Sequence, residues 1–344
     1  MILRRIRTEV GRYCNYRGAR RALNWVAQPI LTFKEMSGPQ VEDLSSVKPA
    51  ELERLWQREA QLWRERLFWD VSDRLAALRC VVERGGLSGK SVRVGDRIVG
   101  YAYYVISGHL GVIANFVVSP ESSTVAPAVL VQETVGEIRR TGVSRIESSF
   151  VSIDGPWLPG IFEREGFRTH WREFMRCELR RAHESVSPPA MMHLESLRET
   201  DLHEAAPIML AAYGGGIDAE ISVQYRTYDG CKLVLESILS QGSCGIPVIE
   251  ASALARHRGR AIGFIILTGI AQRQGHLAQL AVLPAYQRQG VGRLLVSYGL
   301  SRLAELGFNT ISLIVTRTNW RALRMYQVIG FQSVLSFPVF AWKG

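Results

Sequence analysis

The chain has 344 residues, which is enough for two domains of ordinary size. Hydrophobic residues make up 47% of it and charged residues 22%, values that fit a globular protein with a full core and exclude a disordered or collagen-like chain. The five cysteines are odd in number and form no C-x-x-C pair, which argues against a disulfide framework and a zinc site. We therefore expect a cytoplasmic protein with reduced thiols and no metal.

The net charge of +10 is concentrated at the N-terminus. Residues 1–28 contain seven Arg and one Glu, and Leu3, Ile6, Val10 and Tyr13 recur there at helical spacing. This basic arm could contact nucleic acid, a ribosome or anionic lipid, or it could dock its apolar stripe on the protein itself. We favour docking and leave the other contacts open.

The most apolar stretch of the chain, residues 101–118, predicts two β-strands and not a membrane span, because Gly, His and Asn interrupt it. The N-terminus contains arginines but neither the apolar run nor the small-residue cleavage site of a signal peptide. We therefore expect no membrane span and no export.

The two halves of the chain show a faint internal repeat. Three short motifs recur in the same order, and their Pro or Gly residues are offset by 164 or 165 positions. The first copies are VSP, TGV and EGF at 118–120, 141–143 and 165–167, and the second are VLP, LGF and IGF at 282–284, 306–308 and 329–331. A weaker match relates ILTFKEM at 30–36 to MMHLESL at 191–197. This spacing indicates two copies of one α/β unit.

The polar, Pro-containing segment 184–189 lies between the copies and is a natural linker. We predict one domain at 29–183, a second at 190–344, and the basic arm in front of both. In the second domain the patterns predict a strand, two helices, three strands and then alternating helices and strands. Each domain is therefore expected to be a central mixed β-sheet flanked by helices, an α/β fold of the α+β kind.

A candidate anion site follows the strand pattern HLAQLAVLP, where the loop QRQGVGR at 287–293 opens a predicted helix. Small residues at Gly290 and Gly292 would let an anion approach the backbone N–H groups at the helix N-terminus. A dinucleotide fingerprint fails because Leu295 stands where the third glycine is needed, and the string GGLSGKS at 85–91 is one residue short of a Walker A loop. The remaining pattern, Q-x-x-G-x-G, predicts a phosphate-binding loop in preference to a simple turn.

A second pattern lies downstream in RTNWRALRMYQVIGF at 317–331. Its spacing N-x-x-A-x-x-x-Y-x-x-x-G-F begins at Asn319 and includes Tyr326. Together with the loop, over about residues 276–340, it resembles the GNAT superfamily of acyl-CoA N-acyltransferases. The resemblance implies two tandem GNAT-like domains, acetyl-CoA as co-substrate, and an amine on a small molecule or a peptide as acceptor.

The resemblance also implies a coenzyme site. Main-chain groups of the central strand would hold the pantetheine arm, the glycine loop would hold the pyrophosphate, Asn319 would contact the arm, and Tyr326 would protonate the departing thiolate. Asn319 could also be a helix N-cap, a role compatible with that contact, and Tyr326 could instead be core filler. The strand and loop residues so assigned are Leu280, Ala281, Val282, Gln287, Arg288, Gln289, Gly290, Val291, Gly292 and Arg293.

The sequence pattern identifies the general base, the group that takes the amine proton, least clearly. Members of the family often have a carboxylate on the central strand, where this chain has His276 and Gln279. His276 is one candidate base, and Glu250 on the predicted strand PVIEA is another. His276 could instead be a hairpin residue, and Glu250 an exposed strand residue.

The loop YGGGID at 213–218 falls where the family places its acceptor-binding segment, with Asp218, Tyr225 and Tyr228 as candidate contacts. We expect its three glycines to provide loop mobility and not a phosphate site.

The first copy has lost most of the coenzyme pattern. Ser123, Ala126 and Ala128 align with Gln287, Gly290 and Gly292, and Pro127 removes a backbone N–H from the loop. Phe162 aligns with Tyr326, and Gly155 with Asn319. We therefore predict an N-acetyltransferase with a degenerate first domain. The alternative is an acyl-CoA-binding sensor or scaffold without turnover, and the oligomeric state stays open.

Overall fold

A computed structural model describes residues 38–122, 125–149, 155–179 and 191–344. The predicted basic arm, the segment 30–36 and the predicted linker 184–189 lie outside the described residues.

The first half of the chain forms six strands and four helices within the described residues. In chain order they are β1 Gln40–Asp43, α1 Pro49–Leu67, α2 Ser72–Glu83, β2 Gly89–Val94, β3 Arg97–Ser107, β4 Leu110–Val118, α3 Val125–Arg140, β5 Arg145–Ser148, α4 Leu158–Arg164 and β6 Arg168–Glu178. The apolar stretch 101–118 thus lies in β3 and β4, as predicted. No helix of the described residues combines the length and the apolarity that a bilayer crossing needs.

The second half repeats this order, with one short helix and one short strand added. Its elements are β7 Met192–Ser196, α5 Leu202–Tyr213, α6 Ile217–Ile221, α7 Tyr228–Leu239, β8 Ile246–Pro247, β9 Ala253–His257, β10 Arg260–Ala271, β11 Gln274–Val282, α8 Val291–Glu305, β12 Thr310–Thr316, α9 Trp320–Ile329 and β13 Gln332–Lys343. The edge position of β7 is taken in the first half by β1, which lies beyond the segment 30–36 that the sequence match proposed.

All strands of the described residues belong to one mixed sheet. Its order is β1-β2-β3-β4-β5-β13-β6-β12-β11-β10-β9-β7, and β8 pairs with β10. The last strand of each half is therefore exchanged: β13 pairs with β5 of the first half, and β6 pairs with β12 of the second. The two exchanged strands pair with each other at the centre of the sheet.

The exchange completes both cores. Phe340 of β13 is fully buried among first-half residues such as Leu130 and Ile146. Met175 of β6 is fully buried in the second-half core, which also contains Leu295. Burial of one such side chain stabilises a fold by about 1.5–3 kcal/mol, so each half depends on a strand from the other.

The helices of the second half cover two faces of the sheet. Helices α8 and α9 pack on one face, where Leu295 and Tyr326 belong to the same core cluster. Helices α5 and α7 pack on the other, which we call the α5/α7 face, through Met209, Leu235 and Phe264. Helix α6 extends that face over the exchanged strands, because Ile221 packs with residues of β6 and β13.

Candidate active site

The parallel neighbours β11 and β12 separate before they end. Their pairing joins residues 274–277 to residues 310–313 and stops there. Beyond that point residues 279–282 pair with β10 and residues 314–316 pair with β6. Ala278 is the extra residue of a bulge against β10, which bends β11 where the separation starts. The result is a gap between two strand ends whose facing backbone groups are not paired with each other.

The glycine loop lies at the end of this gap. After β11 the chain forms a 3₁₀ turn at Pro284–Tyr286 and then adopts positive φ at Arg288 (62°) and Gly290 (83°). The side chain of Gln287 donates to the Val282 carbonyl over 3.0 Å, which ties the loop to the end of the strand. Helix α8 begins at Val291 without a side-chain cap and without an acidic residue in its first turn. Its N-terminal N–H groups therefore have no side-chain partner and attract anions.

The fold requires a glycine at only one of the two positions in the loop. Gly290 is the N-cap of α8 and its φ of 83° is strained for any residue with a Cβ. At Gly292 an added Cβ would meet only Met325 Sδ at 3.4 Å and Val282 Cγ2 at 4.0 Å, which are ordinary contacts. The protein itself thus tolerates a methyl group at Gly292, and the absence of a longer side chain leaves the helix N-terminus open.

The downstream pattern forms helix α9. Asn319 is its N-cap, since its side chain accepts a hydrogen bond from Ala322 N over 3.3 Å. That alternative is confirmed, and a contact with the coenzyme arm stays a prediction. Tyr326 is buried, with its ring 5.6 Å from that of Phe331 in an edge-on arrangement. Burial, and then the charge of Asp218, hold the pKa of the Tyr326 phenol well above its usual range.

Two more tyrosines and a carboxylate gather at the gap on the α5/α7 face. Tyr213 donates to the Leu280 carbonyl, and the Tyr225 hydroxyl accepts from Gln279 Nε2 over 3.2 Å. The carboxylate belongs to Asp218 of helix α6, whose Oδ1 accepts a hydrogen bond from the Thr316 hydroxyl of β12 over 2.8 Å. Burial and then Asp218 raise the pKa of Tyr213, as they do for Tyr326.

Asp218 is therefore the carboxylate that acts on both tyrosines, Tyr213 and Tyr326. The sequence identified it and Tyr225 only as part of an acceptor segment, and it included Tyr213 in the loop 213–218 without giving it a role. The contact of Tyr213 with Leu280 joins residues 67 positions apart, and no local signal encodes it. Tyr228, the third residue of that prediction, is the exposed first residue of α7.

His276 lies in the paired part of β11, before the gap begins. Its Nδ1 is 2.9 Å from the Ser312 hydroxyl and its ring centroid is 5.0 Å from that of Trp69. Burial lowers the pKa of His276 to about 4. The structure thus places a neutral imidazole beneath an indole of the first half, and its role as base stays a prediction.

Glu250 is not on a strand, contrary to the sequence prediction. Hydrogen bonds from Ala251 N to Val248 O (3.1 Å) and from Ser252 N to Ile249 O (3.1 Å) close a 3₁₀ turn there, so the side chain does not follow strand alternation. The Glu250 carbonyl accepts from Arg302 Nε over 3.3 Å. Arg302 is three turns along α8, about 16 Å from its N-terminus, so the structure does not bring Glu250 to the glycine loop.

Among the described residues, no three His, Cys, Asp or Glu side chains are grouped as they would be around a metal ion. The gap, the uncapped helix and the buried Tyr326 phenol, whose pKa Asp218 helps to raise, are thus the chemical features that the fold brings together.

Residues 229–331 match the model of the Acetyltransferase (GNAT) family. Over 73 residues, 21% of the chain, the sequence is 36% identical to the ribosomal protein bS18-alanine N-acetyltransferase of Escherichia coli K12, of which it covers 49%. The chain matches less than half the length of the first curated relatives, from 21% to 49%. It therefore contains a GNAT acetyltransferase domain at 229–331.

Solved structures extend the likeness of the fold to both halves. A GCN5-related N-acetyltransferase from Sphaerobacter thermophilus superposes with a TM-score of 0.64 at 15% identity, over 89% of this chain and 95% of that one. A tandem GNAT protein from the clavulanic acid biosynthesis pathway superposes with a TM-score of 0.54 at 13% identity, over 89% of this chain and 98% of that one. The predicted α/β fold with a mixed sheet is confirmed.

Proposed function

We propose that the second half of the chain transfers an acetyl group from acetyl-CoA to a primary amine. The observation that carries the proposal is the gap between β11 and β12, which ends at an uncapped helix N-terminus and is flanked by a buried phenol near a carboxylate. The helix N-terminus can bind the phosphate groups of a ligand, and the phenol can give a proton to a departing thiolate. A thioester that bears phosphate groups fits both.

The coenzyme would lie along the gap. The first-turn N–H groups of α8 would hold the pyrophosphate, with Arg288 and Arg293 adding positive charge. The glycine at position 292 supports this assignment, because the protein itself would tolerate a Cβ there. Backbone groups of residues 280–282 would hold the pantetheine arm and stabilise the oxyanion that forms as the amine attacks the thioester.

Tyr326 and Asp218 would carry the proton transfers. A phenol whose pKa is raised stays protonated at neutral pH and can give its proton to the departing thiolate. Asp218 would hold the acceptor ammonium group and accept its proton, because its carboxylate lies beside the gap on the α5/α7 face. His276 and Glu250 are less suited, since the first is buried with a pKa of about 4 and the second lies beside the far end of α8.

Calorimetric titration with acetyl-CoA tests the binding half of the proposal. We expect one site per chain in the wild type and none in Gly292→Glu, because the new carboxylate would occupy the pyrophosphate position. Gly292→Ala is the matched control: its Cβ meets only ordinary contacts, so binding should persist. Two equivalent sites, or unchanged binding by Gly292→Glu, would contradict the proposal.

The competing function is an acyl-CoA sensor or scaffold, and one observation favours it: the central strand has Gln279 where a carboxylate base would be expected. Thiol release in the presence of an amine panel separates the two functions. A transferase releases CoA in step with amine consumption, whereas a sensor binds acetyl-CoA without turnover. Small-molecule and peptide amines both belong in the panel.

Contact of the basic arm with a ribosome or nucleic acid stays a separate prediction. Deletion of residues 1–28 removes seven Arg, so it should abolish any salt-dependent RNA binding if that contact exists.

A further inference from the structure

We infer that Arg172, on the strand that the first half contributes to the second, binds an anionic group of the acceptor amine. The inference rests on the proposed function and deepens it, because it defines the acceptor as an amine that also bears a carboxylate or a phosphate.

Register places Arg172 at the acceptor side of the gap. It pairs with Thr316, the last residue of β12, whose hydroxyl binds Asp218. Side chains of directly opposed residues share a face of the sheet, with Cβ atoms about 5 Å apart. The next residue, Glu173, belongs to the other face, where it binds Arg317. Arg172 and Asp218 thus flank one threonine on the α5/α7 face.

Electrostatics connect the same guanidinium to the gap. Burial raises the pKa of Tyr225, and the positive charge of Arg172 is the largest influence that opposes it. The Tyr225 hydroxyl is bound by Gln279 of β11. Arg172 therefore acts on a group that lines the gap, although β6 belongs to the first half of the chain.

Arg172 lacks the partner that neighbouring arginines have. Arg145 is paired with Glu147, and Arg317 with Glu173. Arg172 forms no hydrogen bond or ion pair with any described side chain, and its Nε is buried without a partner. A buried donor without an acceptor is unfavourable in the free protein, and anionic oxygens on a ligand would satisfy it.

Arg176, two same-face positions further along β6, repeats the pattern. It lies opposite Ser312, its Nε is also buried without a partner, and its guanidinium stacks 4.2 Å above the ring of Phe68. Stacking leaves the edge of a guanidinium free for carboxylate or phosphate oxygens. One face of β6 thus presents two positive groups without an acidic partner among the described residues.

Together with Asp218, Arg172 forms a site of two opposite charges. Asp218 suits the ammonium group of an acceptor and Arg172 suits its anionic group. Because the two residues flank Thr316, the amine and the anion should be separated by only a few bonds. Amino acids and short phosphoamines meet that requirement, whereas a simple alkylamine would leave Arg172 unsatisfied.

Calorimetric titration of the full chain, with and without saturating CoA, tests this inference with matched probes. The pairs are L-alanine and L-alaninamide, 4-aminobutyrate and its amide, and phosphoethanolamine and ethanolamine. We expect at least one acidic member to bind about tenfold or more tightly than its neutral partner. The carboxylate and phosphate pairs show which anion is preferred, and the two amino acids show which spacing is preferred.

The variants Arg172→Gln and Arg172→Lys show whether this arginine is responsible. The first should remove the preference for the acid without changing the affinity for the amide, and the second should restore part of it. Arg168→Gln, an equal loss of charge at an exposed position of the same strand, should keep the preference. Equal binding of every acid and amide, no binding of any probe, or equal loss for both members of a pair would overturn the inference.

The same samples keep the two proposals apart. Acetyl-CoA titration and thiol release report on the proposed function, whereas the difference between acid and amide reports on Arg172 alone. A chain that binds acetyl-CoA and acetylates neutral amines as well as acidic ones would keep the function and lose this inference.

Discussion

The two halves of the molecule contain the same strand separation with different contents. In the first half β4 and β5 pair over residues 110–113 and 145–148, and Ala114 forms the same bulge that Ala278 forms in the second. There Phe162 is fully buried and stacks on Phe340 at a centroid distance of 4.0 Å. The separation of the two strands is therefore a property of the fold. An active site also requires that polar groups, and not packed aromatic rings, line the gap.

The loop differs in the same sense. In the second half the chain passes through Gly290 with positive φ before α8 begins. In the first half Ala126 and Pro127 are already inside α3, and both are buried. Ser123, which aligns with Gln287, lies outside the described residues. The positions that are buried in the core of the first half thus correspond to positions that form an open helix N-terminus in the second half.

The largest expected effect concerns Tyr326, whose counterpart is already phenylalanine. Tyr326→Phe should lower the rate of thiol release about 10²- to 10⁴-fold, because it removes the proposed acid. The free energy of unfolding should change by less than about 1 kcal/mol, since the phenol has no hydrogen-bond partner among the described residues. Unchanged thiol release would show that the hydroxyl is core filler, like its counterpart.

The next effect tests the filled half. Phe340→Ala should lower the free energy of unfolding by about 3–5 kcal/mol, because it opens a cavity in a fully buried cluster. Since Phe340 comes from the second half, urea unfolding should remain one transition and shift as a whole. Separate transitions for the two halves would contradict the interdependence that the strand exchange implies.

A third effect is the response to acid, and it should come from the second half. The buried His276 has a pKa of about 4, below the usual 6.5, so the unfolded chain binds a proton that the folded chain excludes. The free energy of unfolding should therefore fall as the pH drops below about 6.5, by up to about 3 kcal/mol near pH 4. His276→Val, which installs the residue of the matching position Val112, should remove this slope in urea titrations from pH 4 to 8.

The smallest expected effect comes from exchanging glycine and alanine at the aligned positions of the two loops. Gly290→Ala should lower the free energy of unfolding by about 1–2 kcal/mol because of its positive φ. Ala126→Gly, at the aligned helical position, should lower it by about 1 kcal/mol through lost helix propensity. Thermal unfolding of both variants measures the difference. A stabilised Gly290→Ala variant would show that the loop is not held in this conformation.

Several parts of the site could be predicted from the sequence because their causes are local. The spacing around Gly290 and Asn319 depends on one helix N-terminus each, and both helices begin where it indicated. The repeat and the altered loop of its first copy could also be found, since aligned positions occupy equivalent places in the same order of strands and helices. Glu250 was placed wrongly, because an apolar pattern does not distinguish a short strand from a 3₁₀ turn.

The sequence by itself determined the order of strands and helices, the repeat, and the residues that shape the glycine loop and cap α9. Only the tertiary structure decided that β6 and β13 change places, because the pairing of distant strands depends on total burial and register. It also decided that Tyr213 and Asp218 lie beside the gap and that Arg172 pairs with Thr316, the residue that binds Asp218. Tyr213, Asp218 and Arg172 are separated in the chain by up to 46 positions and belong to both halves, so only the packing of the sheet brings them together.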